Sequence, residues 1–537
     1  MADEFDVFKQ LQEIEKAQEA IGAQVGVGDF ELETAWINYG KDGFEYPIAD
    51  KILNIYVHED MEAFGLTGWL DILDTANLVR NGPIVGQELL YMKFATSGSE
   101  AITDYGRKRT ASGLSSQSSA AERFTVDFTK HPLWIYTIED MAEMKSSTGA
   151  KLTQALTYRL YFCSPEVMRN DRIKISQTME GSYSDIIKKV LKNHLKTTKN
   201  VEVLDTTDLK HFVIPNMHPF DVINWATNDA EMQHQQQAVP DYKHGTKSPN
   251  PFRGRAADFY FYETTRGYKF LPAMSSPETT VTLTLGNAPD IERYQNQMTT
   301  SLEYEYSTLA DTRNTIPTGL WGSKYISHDH YNKSVKTYQS NYHRSIEREE
   351  YSYISKTPAY LPTNIGEKNR ENQDKNLSDF PDSLLMLGSF SGKKNSSVKK
   401  NSDQINYPWS ITPADLEMRR RMQTLHGCNY NMLRARFPGI SSLQVGMVVQ
   451  LRLPDVGTAS GQYDDEAIFV NRLNNWWIIK QLTHVINNKA NERYYHCDLL
   501  LSNTMREIGE HSEKLPTYTG MGSNKQFTNT PTSPTFE

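Results

Sequence analysis

The chain has 537 residues, of which 38% are hydrophobic and 23% charged, and its formal net charge is −9. A length of this order holds roughly two to four domains, and the acidic balance excludes a protein whose whole surface grips nucleic acid, because that requires clustered Lys and Arg. The three cysteines, Cys163, Cys428 and Cys497, are scattered, which argues against a zinc ribbon or a disulfide framework and for buried thiols from a reducing compartment.

The opening stretch MADEFDVFKQLQEIEKAQEA is charged throughout, so no signal peptide is expected. No run approaches ~18 apolar residues, so no membrane-spanning helix is expected either. Residues 3–22 carry Phe5, Phe8, Leu11 and Ile14 at a spacing of three, continued by Ala17 and Ile21. That spacing predicts an amphipathic helix, packed on its own domain or docked on a neighbouring subunit. Residues 30–140 read mostly as strands. KILNIYVH (51–58) and RFTVDF (123–128) alternate; GQELLYMKF (86–94) and LWIYTIED (133–140) are further candidates. The Ser-, Thr- and Gly-rich stretch 95–122 between them reads as an exposed hairpin loop.

Beyond residue 140 the pattern turns helical. Glu139–Met144 and Leu152–Thr157 are predicted helices. The clearest helix is YSDIIKKVLKNHLKT (183–197), with Ile186, Ile187, Val190, Leu191 and Leu195 on one stripe and Ser182 or Ser184 as the cap. HPFDVINWAT (218–227) has near-helical spacing. DFYFYETTRGYKFL (258–271) reads as a hairpin turning at Thr-Arg-Gly. Residues 272–424 are the least regular: VTLTLG (281–286) is a strand, while 362–405 is too polar to support much core and is predicted to form long surface loops. Order returns at 425–505, with VGMVVQLRLP (445–454), WWIIKQLTHVIN (476–487) and ERYYHCDLLLSNT (492–504) as successive strands. The Ser-, Thr- and Pro-rich end, 509–537, reads as a flexible tail.

Chemistry-bearing motifs are sparse. There is no GxSxG, phosphate-binding loop, HExxH or dinucleotide fingerprint. His328-Asp329-His330, with His343 nearby, has the residue types for a metal but reads as a polar loop. Asp464, Asp465 and Glu466 are contiguous, whereas a calcium loop needs spaced ligands. Arg419–Arg421 and Lys399–Lys400 read as solvated faces or contacts with an acidic partner. Trp476 and Trp477 are adjacent on a strand, so one is expected in the core and the other toward a partner. His484, on a strand among apolar residues, reads as a core histidine with a backbone partner. No catalytic residue, cofactor or metal is expected.

Four segments in order carry a resemblance: LRARF from Leu433, LQVGMVVQL from Leu443, WIIKQLTHVI from Trp477 and YYHCDLLL from Tyr494. Their order resembles the last tube domain of baseplate hub proteins, a family that includes the central hub of T-even-type phages, late-control tail proteins and the hub–spike proteins of type VI secretion. Val445–Gly446, His484 with Ile486, and Tyr495 with Leu499 and Leu501 are the matching positions. Residues 51–138 resemble the family's first tube domain, and 182–228 its intervening domain.

The resemblance implies an α+β, mainly β, fold: two tube-type antiparallel β-barrel domains, an intervening α/β region and long loop insertions. The corresponding boundaries are a helical arm at 1–29, a first tube-like domain at 30–140, an intervening domain at 141–274, a second tube-like domain at 275–310 plus 425–508, and an irregular insertion at 311–424. It further implies a structural baseplate hub of a contractile-tailed phage, not an enzyme. Such a hub is a homotrimer forming a pseudo-sixfold ring between the sixfold tube and the threefold spike. Its partners would be the tail tube or tube-initiator protein, the central spike, baseplate wedge proteins, a tape-measure protein, and DNA in transit. It would be assembled in the host cytoplasm into the virion tail. Phe5, Phe8, Trp476 and Trp477 are the interface candidates. The alternatives are a wall-degrading or carbohydrate-binding tail component, and a tube-initiator or neck subunit.

Overall fold

The structure, a computed structural model, describes residues 26–39, 44–82, 84–97, 125–144, 155–206, 210–230, 257–273, 278–286, 297–308, 312–329, 333–341, 380–389, 431–452, 476–489 and 492–503. The chain is α+β and mainly β, dominated by one 14-stranded sheet. The sequence segment up to residue 163 supplies β1 (Phe30–Tyr39), β2 (Phe44–Pro47), β3 (Ile52–Asp60), β4 (Thr67–Asp74), β5 (Leu89–Thr96), β6 (Thr125–Asp127), β7 (Leu133–Met144) and β8 (Ala155–Cys163). Alternation drives these strands: in β3, Ile55, Val57 and Glu59 point inward while Asn54, Tyr56 and His58 face outward.

Glu139–Met144 and Leu152–Thr157, expected as helices, are corrected to strand. The first continues β7 and the second enters β8; the two pair in register from Ala142↔Thr157 to Met144↔Ala155. Glu, Met and Ala favour helix locally, but β8 is clamped between β4 and β7 and imposes extended backbone on its neighbour. Asp140, at φ 54°, sits in the irregularity between Glu139 and Ala142 that shifts the register.

The middle segment contributes β9 (Thr178–Gly181), β10 (Val201–Val203), β11 (Lys210–Val213), β12 (Phe259–Thr264) and β13 (Gly267–Pro272). Its helices are α1 (Pro165–Arg172), α2 (Tyr183–Lys189) and α3 (Pro219–Asn228), in chain order. The Ser182 side chain caps α2 by accepting from the Asp185 amide, and the helix ends in a π turn at Val190–His194. Strands β12 and β13 form the expected hairpin, and their alternation serves two cores. Tyr260 and Tyr262 pack toward the sheet, whereas Phe259, Phe261, Tyr268 and Phe270 join Ile186, Ile187, Val190 and Ile223 in a second core.

The last segment adds β14 (Glu278–Thr284), β15 (Glu303–Thr308), β19 (Met432–Pro438), β20 (Val448–Arg452), β21 (Trp476–Lys489) and β22 (Glu492–Asn503) to the sheet. Between them, β16 (Gly322–Asp329), β17 (Ser334–Asn341) and β18 (Leu385–Ser389) make a separate three-stranded sheet. This corrects the reading of 311–424 as wholly irregular and of 362–405 as loop throughout: apolar Leu385, Met386 and Leu387 provide enough strand character to pair with β16.

The β-rich ends of the chain are joined. Strand β3 pairs with β21 from Asn54↔Asn487 to Asp60↔Gln481, giving the order β15-β19-β22-β21-β3-β4-β8-β7-β5-β1-β2. Among the described residues that hydrogen-bonded path is open. One buried core runs beneath both ends, from Phe30 and Ile55 to Trp477 and Leu501. The start of the first unit also meets β22: the Tyr495 amide donates to the Gly28 carbonyl at 2.7 Å, and Thr96 Oγ1 lies 2.8 Å from Ser441 Oγ.

Candidate functional site: a buried polar junction beneath an ion-paired sheet face

Phe5 and Phe8 lie outside the described residues, as do Arg419–Arg421, Lys399–Lys400, Asp464–Glu466, His330 and His343. Trp476 opens β21. Trp477 is 0% exposed and belongs to the main core, so it is corrected from interface candidate to core residue; its place opposite Val449 and Asn503 turns its ring inward. His328 is exposed near the end of β16, and no group of three His, Cys, Asp or Glu gathers for a metal among the described residues.

His484 is fully buried, but its partner is a side chain and not the backbone. Nδ1 lies 2.7 Å from the Tyr495 hydroxyl and 3.5 Å from Cys497 Sγ. Burial pushes the imidazole down to about 3 and the Cys497 thiol up to about 12. The folded chain therefore resists a proton that the unfolded chain accepts, and stability falls as pH drops from about 6.5 toward 3. His484→Gln, which keeps a polar partner for Tyr495, is expected to flatten the acid limb of the thermal midpoint. The slope removed approaches ~1.4 kcal/mol per pH unit.

Two buried acid clusters occupy the junction where the three parts of the chain meet. Glu59, on the inner face of β3 and 0% exposed, accepts from the Thr265 amide at 2.7 Å through Oε1 and from the Val445 amide at 2.9 Å through Oε2. It thereby ties the β12–β13 turn and the turn before β20 to the first unit. Burial pushes its carboxyl up to about 7, against the pull of the two amides and Lys269. Glu263, 1% exposed on β12, reaches the other way: Oε2 accepts from the Leu66 amide at 3.1 Å and Oε1 from Lys199 Nζ at 2.5 Å. Lys199 also donates to Glu166 at 2.7 Å. Burial alone would lower Lys199, but the two carboxylates outweigh it and raise it. Likewise burial would raise Glu166, but Lys199 holds it below the ordinary carboxylate range.

Above this junction the outer face of the sheet carries cross-strand ladders. Tyr56, Trp69 and Tyr161 stand side by side on β3, β4 and β8, with ring centroids 4.4 Å and 6.1 Å apart, and Tyr136 extends the row at 6.4 Å. Arg159 lies over the Trp69 ring and is held by Asp71 at 2.8 Å and Asp140 at 3.2 Å. Arg436 is held by Asp498 at 2.7 Å and Glu303 at 2.8 Å; Lys93 pairs with Glu33. A groove of about 240 Å³ beside Asn54, Asp71, Asp140, Arg159 and Lys489 is smaller than the usual ~300–1,000 Å³ of ligand pockets. The face is suited to packing and to neutralised charge. These partners were not foreseen from sequence; the alternation of Tyr and Trp with Asp and Arg on β3, β4 and β8 was the available signal.

No family model matches the chain, and no curated protein matches it. It is similar to several solved structures. A tail protein from Neisseria meningitidis MC58 is 8% identical over 88% of this chain and 97% of that one, with a TM-score of 0.44. A 43 kDa tail protein of prophage MuSo2 from Shewanella oneidensis is 9% identical over 88% and 98%, with a TM-score of 0.43. An E. coli component of the type VI secretion system is 9% identical over 91% and 80%, with a TM-score of 0.36. At such scores these stand as likenesses only.

Proposed function

We propose that this chain is the structural hub of a phage-tail baseplate, a trimer whose ring joins a sixfold tail tube to a threefold spike and surrounds the path of the genome. The observation that carries the reading is the joint between β3 and β21, which sets a β-unit from each end of the chain edge to edge in one sheet. Three copies then contribute six β-units to a closed ring, which suits a sixfold partner on one side and a threefold one on the other. The role is one of interfaces and not of bond chemistry. Cations such as Arg159 and Arg436, already held by carboxylates, offer a passing polyanion little to grip. Tube, spike, wedge and tape-measure proteins are the partners this reading names, and the virion tail is its location.

Light scattering on a sizing column tests it. A mass near three times 61.4 kDa is expected for the purified chain, alone or with its spike added. A hexamer would transfer the chain to the tube-initiator or neck class. A monomer that stays monomeric with the spike added would overturn the reading.

A further inference from the structure

We propose that the segment before Gly26, outside the described residues, lies across the outer face of its own chain's main sheet and seats Phe5, Phe8, Leu11 and Ile14 on an aromatic row there. Strand register puts that row in line. His496 on β22 is opposite Val485 on β21, and Val485 is opposite Tyr56 on β3. Tyr56 is opposite Trp69 on β4, and Trp69 is opposite Tyr161 on β8. Tyr136 on β7 ends the row, 6.4 Å from Tyr161. The row is open to a partner: Tyr494, stacked on His496 at 5.3 Å, is 45% exposed and Tyr136 is 43% exposed, while Tyr56, Trp69 and Tyr161 are half-buried.

Polar residues border the row: Asn54, Asp71 and Arg159 two positions to one side, His58 and Thr67 two positions to the other. At ~3.3 Å per residue the borders stand about 13 Å apart, close to the ~10–12 Å width of a helix. From β22 to β7 the sheet order crosses β21, β3, β4 and β8, which at ~4.8 Å per strand gap makes about 24 Å. A helix over 3–22 spans ~30 Å and would cover that length. Its occupant is set by where the chain arrives. Gly28, at φ 84°, accepts from the Tyr495 amide at 2.7 Å, between Tyr494 and His496, and the Gly26 amide donates to Asp29 Oδ2 at 2.7 Å to close the turn. The segment therefore joins the sheet at the β22 end of the row. With Phe5, Phe8, Leu11 and Ile14 turned to the aromatic rings, Asp6, Lys9, Glu13 and Lys16 fall on the opposite side, toward water.

Photo-cross-linking of the full-length protein with p-benzoylphenylalanine in place of Phe8 tests this. Irradiation is expected to join that position to peptides carrying Trp69 or Tyr161, in a product that keeps the single-chain mass of 61.4 kDa on a denaturing gel. Cross-links that map elsewhere on the chain overturn the proposal. So does a product of twice that mass, which would give the row to a second copy. Hydroxyl-radical footprinting supplies an independent reading of side-chain exposure. In Phe8→Asp combined with Leu11→Asp, oxidation of Tyr136, Tyr161 and Trp69 is expected to rise severalfold over wild type, while Trp477, fully buried in the core, stays protected and reports that the sheet is folded. Unchanged labelling of the row in a folded variant overturns the proposal. Should the variant unfold, the cross-link in the otherwise unaltered chain still decides.

Discussion

Gly446→Val is expected to be the most damaging single substitution in the second half of the sheet. Gly446 has φ of 83°, in the left-handed region, and its amide donates to the Ile479 carbonyl at 2.8 Å. A β-branched residue there pays the left-handed penalty of about 1–2 kcal/mol. The space is also closed: a Cβ would lie 1.9 Å from the Tyr262 hydroxyl oxygen. Tyr262 is a fully buried ring on β12 and cannot swing into solvent, so overpacking adds roughly 1–3 kcal/mol. The neighbouring Val445 amide, held by Glu59, moves with the turn. A thermal midpoint lowered by several degrees, or loss of soluble protein, is the expected result. A midpoint within a degree of wild type would show that the turn repacks freely.

Lys199→Met is expected to cost about 3–5 kcal/mol at neutral pH, because it strands Glu166 and Glu263 in a site where they are 3% and 1% exposed. The pH dependence gives the sign. Lys199, raised, contributes fully below its unfolded pKa and loses the contribution only as pH rises through its higher folded value. Glu166, lowered, contributes above its unfolded pKa and loses the contribution as pH falls through its folded value. Both contributions are thus present across neutrality. In the variant the two carboxylates regain comfort only by taking up protons, so the deficit should shrink as pH falls. Adding Glu166→Gln and Glu263→Gln should recover most of the loss at neutral pH. Chemical denaturation of the three proteins across pH 5 to 9 checks the whole pattern, and a deficit independent of pH would rule out stranded charge as its cause.

Much of the strand framework was legible because period-two alternation reports burial directly: 51–58 became β3, 258–271 became the β12–β13 hairpin, and 492–504 became β22. Gly446 before an apolar strand was legible for the same local reason. The misreading of 139–144 shows where that stops. Its residues favour helix, and only pairing with β8 makes them a strand. The junction was hidden for a different reason. Glu59, Glu166, Lys199, Glu263 and Val445 are brought together across as many as 386 positions of sequence. A carboxylate among apolar residues in β3 and a Glu opening the hairpin turn gave no hint of each other. Trp477 carried the opposite lesson: its ring was a fair interface candidate until the register of β21 turned it inward.

The pairing of β3 with β21 also sets a clock on biosynthesis. Asp60 leaves the ribosome 421 residues before its partner Gln481. At roughly 5–20 residues per second, the edge of β3 stands open for on the order of 20–80 s while the rest of the chain is made. During that interval β3 can pair with β4 on one side, but its other edge is unpaired, with apolar Ile55 and Val57 on one face of the strand, the form most prone to join the wrong partner. A nascent chain that stalls before residue 476 has no means of closing that edge itself. Such fragments should accumulate in the insoluble fraction, whereas the finished chain covers the strand with its own C-terminal half.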